Sequence, residues 1–398
     1  MMTDFAATKA MFHLPDGLIY LDGNSLGVMP KAAATRIAQT VSAEWGEMLI
    51  TGWNKAGWMA QPIALGDRIG RLIGAVPGTT VLGDTLSIKV YQALHSAITL
   101  NPNRKTILSD TGNFPSDLYM ADGLIRALND GHILKTVAPE EVEAHLDEDV
   151  AVLMLTQVDY RTGRMHDMAK LTQKAHKHGV ITVWDLAHSA GAVPVDLTAA
   201  QADFAVGCTY KYLNAGPGAP AFIYVAPQHA ETVHPALSGW LGHEAPFAFD
   251  TEYRPGRGIE RMRVGTPPVL QMAALEAAMD IWDNVDMQAV RAKSIELTSL
   301  FIKEVEATCT DLILNAPRDA ATRVSQVAFA HPESYAIMQC LIAHGVIGDF
   351  RAPDNLRFGF TPLYIDETDV RRAVDILSKI MKERLWDAPE FKTQATVT

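Results

Sequence analysis

VWDLAHSAG, residues 183–191, ends an apolar run on an acid. Val180–Trp184 is short, rich in β-branched and aromatic residues, and polar only at Thr182, the composition of a strand buried on both faces. Asp185 follows at its carboxyl tip, and His188 comes three residues later. Upstream, Val150–Leu155 reads as a second buried strand, and Met168–His178 has the spacing of a helix that Gly179 stops. Thr106–Leu108, Phe204–Val206 and Phe222–Val225 read as further strands. This alternation predicts an α/β domain with a mostly parallel sheet, whose ligand sits at the carboxyl ends of the strands.

The flanks are organised differently. Residues 1–45 begin with a loop, LDGNSLGVMP, followed by a helical pattern from Lys31 to Glu44 with Pro30 at its first turn. Helical patterns also cover Pro267–Asp286 and Ala289–Ala307. Beyond them, strand patterns (Arg323–Ala330, Asn355–Phe360) mix with helical ones (Tyr335–His344, Glu367–Glu383), as in a smaller α+β domain. The expected division is an N-terminal segment, 1–45, packing with the small domain, a large α/β domain over 46–270 and a small α+β domain over 271–398. Disorder is expected only over roughly 392–398.

Composition narrows the function classes. The 398 residues carry a formal net charge of −12, which disfavours nucleic acid and anionic membranes as partners. Met1–Leu14 lacks the cationic-then-apolar order of a signal peptide, and no run of about 18 apolar residues suggests a membrane span. Cys208, Cys309 and Cys340 show no CxxC spacing, so a disulfide framework is not expected and a reducing cytoplasm is the simplest compartment. His176 and His178, two apart on a helix, face different sides, and no metal site is expected. Cys340, Met272 and Met279 read as core residues.

The chemistry lies in two motifs. Asp185 alone would more often cap a turn, and Lys211 in GCTYKYLNAGPGAP would more often be a surface lysine. Together they read differently. Lys211 follows a strand, sits between Tyr210 and Tyr212, and precedes the glycine-rich stretch Gly216–Gly218. Desolvation among aromatics would free its amine to attack a carbonyl. A short helix and a strand between Asp185 and Lys211 would place the two on neighbouring strand ends. A lysine that forms a Schiff base, and an acid that keeps a pyridine nitrogen protonated, are what pyridoxal 5'-phosphate (PLP) requires. In LGDTLSIKVYQALHSAI, polar residues precede an amphipathic helix, and amides at its start with the Ser87 hydroxyl could hold a phosphate.

At this point the sequence resembles the kynureninase family of the aspartate-aminotransferase-like, fold type I PLP enzymes. The resemblance covers nearly the whole chain through LDGNSLG (21–27), NFPSD (113–117), LTQVDYRTG (155–163), WDLAHSAG (184–191), TYKYLNAGPG (209–218), LSGWLGH (237–243), RVGTPP (263–268) and LRFGFTPLY (356–364). It implies a Schiff base on Lys211, Asp185 on the pyridinium nitrogen, and His188 near the ring. Phe114 would stack on the ring, with Pro115, Ser116 and Asp117 beside it and Thr156 in contact from a strand end. Leu86, Ser87, Tyr210, Trp240 and Thr266 would hold the phosphate, the last two reaching over from the partner of a homodimer. Arg357 would grip the substrate carboxylate, and Ser25 would line the substrate pocket. Two positions vary within the family: the phosphate pair is Leu86–Ser87 here, and Thr266 is Asn in some members.

The implied reaction is hydrolysis of L-kynurenine to anthranilate and L-alanine, with 3-hydroxykynurenine a second candidate substrate. Lys211 would serve as base for the α-proton and Tyr210 as a proton relay. The rivals are other fold type I enzymes, a cysteine desulfurase or an aminotransferase, and a non-catalytic relative. A desulfurase needs a nucleophilic thiol on a flexible loop, which neither Cys208 nor Cys340 suits. Loss of Lys211 or Asp185 would have marked a non-catalytic relative, and both are present.

Overall fold

The computed structural model describes residues 3–393. Its first strand, β1 (Ile19–Tyr20), lies outside the main sheet. That sheet comprises β2 (Thr80–Leu82), β3 (Thr106–Asp110), β4 (Ile133–Val137), β5 (Val150–Thr156), β6 (Ile181–Asp185), β7 (Phe204–Gly207) and β8 (Phe222–Val225). The spatial order is β2-β8-β7-β6-β5-β3-β4, with β8 antiparallel to both neighbours and the other pairs parallel.

The expected mostly parallel sheet is present, and its physical basis is burial on two sides. All of VAVLMLT in β5 is buried. The helix Leu86–Leu100 packs Val90, Ala93, Leu94 and Ala97 into one cluster with Val152 and Met154. The helix Met168–Lys177 places Leu171 and Ala175 in the other cluster, with Leu153 and Leu155. With both faces covered, no polar alternation survives in the strand. Gly179 ends the turn after that helix at φ +68°, a left-handed state that glycine adopts without steric cost.

Several boundaries differ from the sequence expectation. β6 begins one residue late and includes Asp185, which therefore pairs with Thr156 and Val206 as a sheet residue. β10 below begins at Gln326 rather than Arg323, because Ser325 turns its side chain to the carbonyl of Ala192 and Val324 bonds the Gly163 carbonyl. The helix expected over Pro267–Asp286 is Val269–Trp282. The helix from Lys31 is α-helical to Gln39 and continues as a wider π-turn over Thr40–Trp45. The short helix expected between Asp185 and Lys211 is absent: residues 186–203 form turns, interrupted by Gly191 at φ +82° and by Pro194. Of the expected disordered stretch, residues 394–398 lie outside the described residues, while Lys392 pairs with Asp387 at 2.5 Å.

A second sheet follows from β9 (Ile313–Leu314), β10 (Gln326–Ala330), β11 (Val346–Ile347), β12 (Asp349–Arg351) and β13 (Asn355–Gly359). β12-β13-β10-β9 form an antiparallel sheet, whereas β11 pairs in parallel with β1. The N-terminal segment thus adds a strand to the C-terminal part. It then turns back: Asp22 bridges to Gly359, and the Gly27 amide donates to the Tyr210 carbonyl at 2.8 Å.

A buried polar knot closes the edge of the sheet opposite the strand tips. Asp203, before β7, accepts from His176 and His229 at 2.8 Å each and from the Thr182 amide at 2.9 Å. Burial opposes the Asp203 charge, but the two histidines hold its carboxyl well below the usual range, and Asp203 in turn raises His176. A raised histidine stabilises the fold below its unfolded pKa, and that contribution is lost as pH rises through the folded value. D203N should therefore cost roughly 3 kcal/mol of unfolding free energy near pH 6. Denaturant titrations should find the loss smaller at pH 9, and a pH-independent loss would contradict the His176 coupling.

Candidate active site

The strand tips bring the polar residues together. Asp185 ends β6 beside Thr156 of β5, and the chain leaving β7 reaches Lys211 directly. The turn TYKYLNAGPG is clamped by the N-terminal loop. Asn214, in a left-handed conformation at φ +61°, donates from Nδ2 to the Val28 carbonyl at 3.1 Å. A side chain at Gly27 would collide with the Lys211 carbonyl and with Asn214, so this close approach requires glycine.

Lys211 is 9% exposed, the expected desolvated lysine. Its Nζ lies 3.1 Å from His188 Nε2, and 5.7 and 5.8 Å from the ring centroids of Phe114 and Tyr210. His188 Nε2 is also 3.1 Å from the Asn24 carbonyl oxygen. It serves one at a time: bare, it accepts from Lys211; protonated, it donates to Asn24. Burial first, then the charges of Lys211 and Arg357, hold the His188 pKa well below the ordinary value, so the imidazole is neutral.

Two buried carboxyl groups lie beyond the lysine. Asp185 accepts the Ala187 amide at 2.8 Å. Burial raises its pKa, and the Lys211 charge works against that rise. Asp117 is raised well above the ordinary range by burial, then by the Asp185 charge, and its carboxyl hydrogen-bonds Asp185. Both carboxyls are thus pushed toward the neutral form, Asp117 the more strongly, and no donor from the chain reaches Asp117 Oδ2.

Two helix starts converge beside them. Leu86–Leu100 begins after Thr85, and Pro115–Leu128 after Phe114. Ser87 Oγ and Ser116 Oγ are 3.1 Å apart, so the first turns of both helices face one place. Exposed amides and two helix dipoles there favour an anion. Phe114 is 39% exposed and meets Tyr160 edge to face at 5.1 Å. Thr156 spends its hydroxyl proton on the Val158 carbonyl at 3.1 Å. Tyr210 is partly buried; burial, then Cys208, push its phenol upward.

Arg357 is 1% exposed and already partnered. Its Nε donates to Asp349 Oδ1 at 2.8 Å, and one terminal nitrogen reaches the Tyr160 carbonyl at 2.5 Å. The other terminal nitrogen bonds Asp349 Oδ2 and donates to Ser25 Oγ at 2.8 Å. Ser25 donates to Asp349 at 2.6 Å, and Arg351 pairs with the same carboxylate at 2.7 Å. The sequence reading placed Ser25 and Arg357 but missed Asp349 and Arg351. A signal existed: the turn residues Ala352–Asp354 make a hairpin, whose antiparallel register sets Asp349 opposite Arg357. Trp240 and Thr266 are not brought to Lys211 within the chain. Trp240 is 43% exposed and donates to the Pro246 carbonyl at 2.6 Å; Thr266 is exposed beside Gly83 and Asp84. Among the described residues no cluster of three or more His, Cys, Asp or Glu could hold a metal.

Asp22 stands behind Asp349. Burial, then repulsion from Asp349, push its carboxyl up from 3.8 to about 8, and its Oδ1 is buried without a partner. Its unfolded form loses its proton near pH 4, whereas the folded form keeps it, so the group lowers stability progressively between the two values. D22N should gain melting temperature over the parent as pH rises from 5 to 8, and should match it near pH 3. A constant difference in thermal scans would refute this protonation state.

Comparison with known proteins agrees with this geometry. A family model described as the kynureninase C-terminal domain matches residues 290–377. A kynureninase of Pseudomonas fluorescens is 48% identical across 99% of this chain and 96% of its own length. One from Burkholderia pseudomallei (strain 1106a) is 49% identical with the same coverage. Among solved structures, a cysteine desulfurase from Thermococcus onnurineus superposes with a TM-score of 0.81 at 17% identity, covering 96% of this chain and 99% of its own. One from Escherichia coli gives 0.80 at 19%, covering 96% and 100%. These likenesses show the expected fold type I architecture. Near-half identity to kynureninases over almost the full length makes the chain a member of the kynureninase family.

Proposed function

We propose that this chain is a PLP-dependent hydrolase that splits L-kynurenine with water into anthranilate and L-alanine. The carrying observation is Lys211 Nζ, buried against neutral His188 and beside the hydrogen-bonded pair Asp117–Asp185. A buried carboxyl pair with Asp117 Oδ2 left without a donor fits a pyridine nitrogen, and the paired helix starts fit a phosphate. When bound, PLP supplies an aldehyde for the lysine or substrate amine and a protonated ring that accepts the electron pair left at the substrate α-carbon.

The remaining steps belong to side chains. Asp185 would keep the ring nitrogen protonated, and Asp117 beside it is the acid that burial pushes furthest toward its neutral form. Phe114, one residue before the helix that carries Pro115, Ser116 and Asp117, would hold the ring together with His188 and Thr156. Leu86 and Ser87, with Tyr210, would hold the phosphate. Lys211, as a free amine, would remove the α-proton. Arg357 and Ser25 take the α-carboxylate, which exchanges for their contacts to Tyr160 and to each other while Asp349 keeps the guanidinium in plane. Tyr210 relays protons while water adds to the γ-carbonyl and the Cβ–Cγ bond breaks.

The same proposal has two subunits sharing each site. The partner subunit's Trp240 and the partner subunit's Thr266 reach the phosphate, which suits their exposure in the single chain. It keeps the division into residues 1–45, 46–270 and 271–398, and a cytoplasmic location. Cys208, Cys309 and Cys340 are free and buried, as a reducing compartment allows, and none is the exposed thiol a desulfurase needs. No helix among the described residues is long and apolar enough to cross a membrane.

Incubation with L-kynurenine should release fluorescent anthranilate and alanine in equal amounts, and 3-hydroxykynurenine tested in parallel sets the preference. K211A should lose at least about 1000-fold in turnover. Y210F should lose about 100-fold in turnover and far less in PLP affinity. Anthranilate without alanine would refute the reaction, and full turnover in Y210F would refute the relay.

A further inference from the structure

Lys89 is a lysine with no exposed surface, and nothing above uses it. It sits in the first turns of the helix Leu86–Leu100. Its ammonium pairs with the Asp84 carboxylate at 3.2 Å and donates to Gln92 Oε1 at 3.0 Å and to the Met262 carbonyl at 3.1 Å. Those contacts use every proton it has. Gln92 Nε2 donates to the same carbonyl at 3.3 Å. Burial works against the charge, and Asp84 offsets part of that cost. Apolar groups in place of both partners could fill the space without loss of stability, whereas removing Lys89 alone leaves Asp84, Gln92 and the Met262 carbonyl short of a donor. What the ammonium adds is direction: it ties fixed points together.

The tied points belong to separate segments. Asp84 lies in the turn that leads into the helix, at φ +55°, a state a non-glycine residue keeps only when its surroundings hold it. The Asp84 carbonyl accepts the Ala221 amide at 3.0 Å, and the Gly83 amide donates back to Ala221 at 3.0 Å, so β8 supports the turn from the other side. Met262 leads into Arg263–Thr266, and Asp84 and Thr266 line one small cleft with Gly83 and Gly265.

We propose that Lys89 is a positioning residue for the cofactor phosphate. By gripping Asp84 and Met262 together, it fixes the turn that aims the Leu86 and Ser87 amides and locks that turn to the segment ending in Thr266. Lys89 acts through the backbone and does not touch the phosphate. The inference rests on the reading of this helix start as the phosphate site, so its test separates the two.

The measurement is direct binding of PLP and of pyridoxal, which has the same ring and aldehyde but no phosphate, to the apoprotein of the parent and of K89M, D84N and S87A. K89M and D84N should each raise the PLP dissociation constant about tenfold or more, equivalent to at least about 1.4 kcal/mol. Their pyridoxal constants should stay within about twofold, a selectivity that general damage to the fold would not produce. D84N separates positioning from charge: if Lys89 worked only as a positive charge, freeing it from Asp84 would tighten PLP. Tightening in D84N, or equal losses of PLP and pyridoxal, would overturn the proposal. Unchanged PLP binding in K89M and D84N, with S87A losing its preference for PLP over pyridoxal, would overturn the role of Lys89 alone. An unchanged preference in S87A would overturn the phosphate site itself and the inference with it. Should K89M fail to fold, the near-isosteric D84N carries the test.

Discussion

A lysine and two carboxyl groups buried together at the ends of parallel strands are the constraint on which this molecule turns. Charges removed from water are costly unless each finds a partner. Here the balance is incomplete: Lys211 meets an imidazole held neutral by burial, and two adjacent acids are both pushed toward their neutral forms. The strands must end in register for this to occur, and the pairing of Asp185 with Thr156 and Val206 provides that register. The N-terminal loop must then close over the lysine turn, which Gly27 permits by having no side chain. In the proposed reading, a ring nitrogen at the two acids and a phosphate at the converging helix starts would complete the balance.

The substrate end follows a different logic. Arg357 is as buried as the core around it, and its charge is held by Asp349, with Arg351 and Ser25 on the same carboxylate. A guanidinium fixed in this way recognises a carboxylate in one plane and needs little reordering when substrate arrives. Because β12 and β13 carry Asp349 and Arg357 while the N-terminal loop carries Ser25, both ends of the chain meet at this end of the site. The proposed carboxylate grip of Arg357 and Ser25 is thereby tied to the packing of β1 on β11.

Much of this was legible in the sequence, and the parts that were not have physical reasons. β5 announced itself because burial on both faces leaves an unbroken apolar run. Lys211 and Asp185 stood out only as a pair on neighbouring strand ends, since each alone has a commoner structural use. β2 and β4 passed unnoticed: β2 has three residues, and β4 lies at the edge with Ile133 exposed and Lys135 in its middle. The short helix expected between Asp185 and Lys211 did not form because Gly191, in a left-handed conformation, and Pro194 interrupt the turns there. Asp349 was signalled only by the hairpin register that sets it opposite Arg357, and Lys89 was hidden because its meaning lies in a contact distant in sequence, to Met262, which no local pattern encodes.

The central claim is that Lys211 is the residue joined to the cofactor. Protein loaded with PLP, reduced with borohydride and digested, reports the site of attachment by peptide mass. The account predicts the phosphopyridoxyl group on Lys211 alone, and none on protein carrying K211A. A label on any other lysine, or equal labelling of the K211A protein, would contradict it.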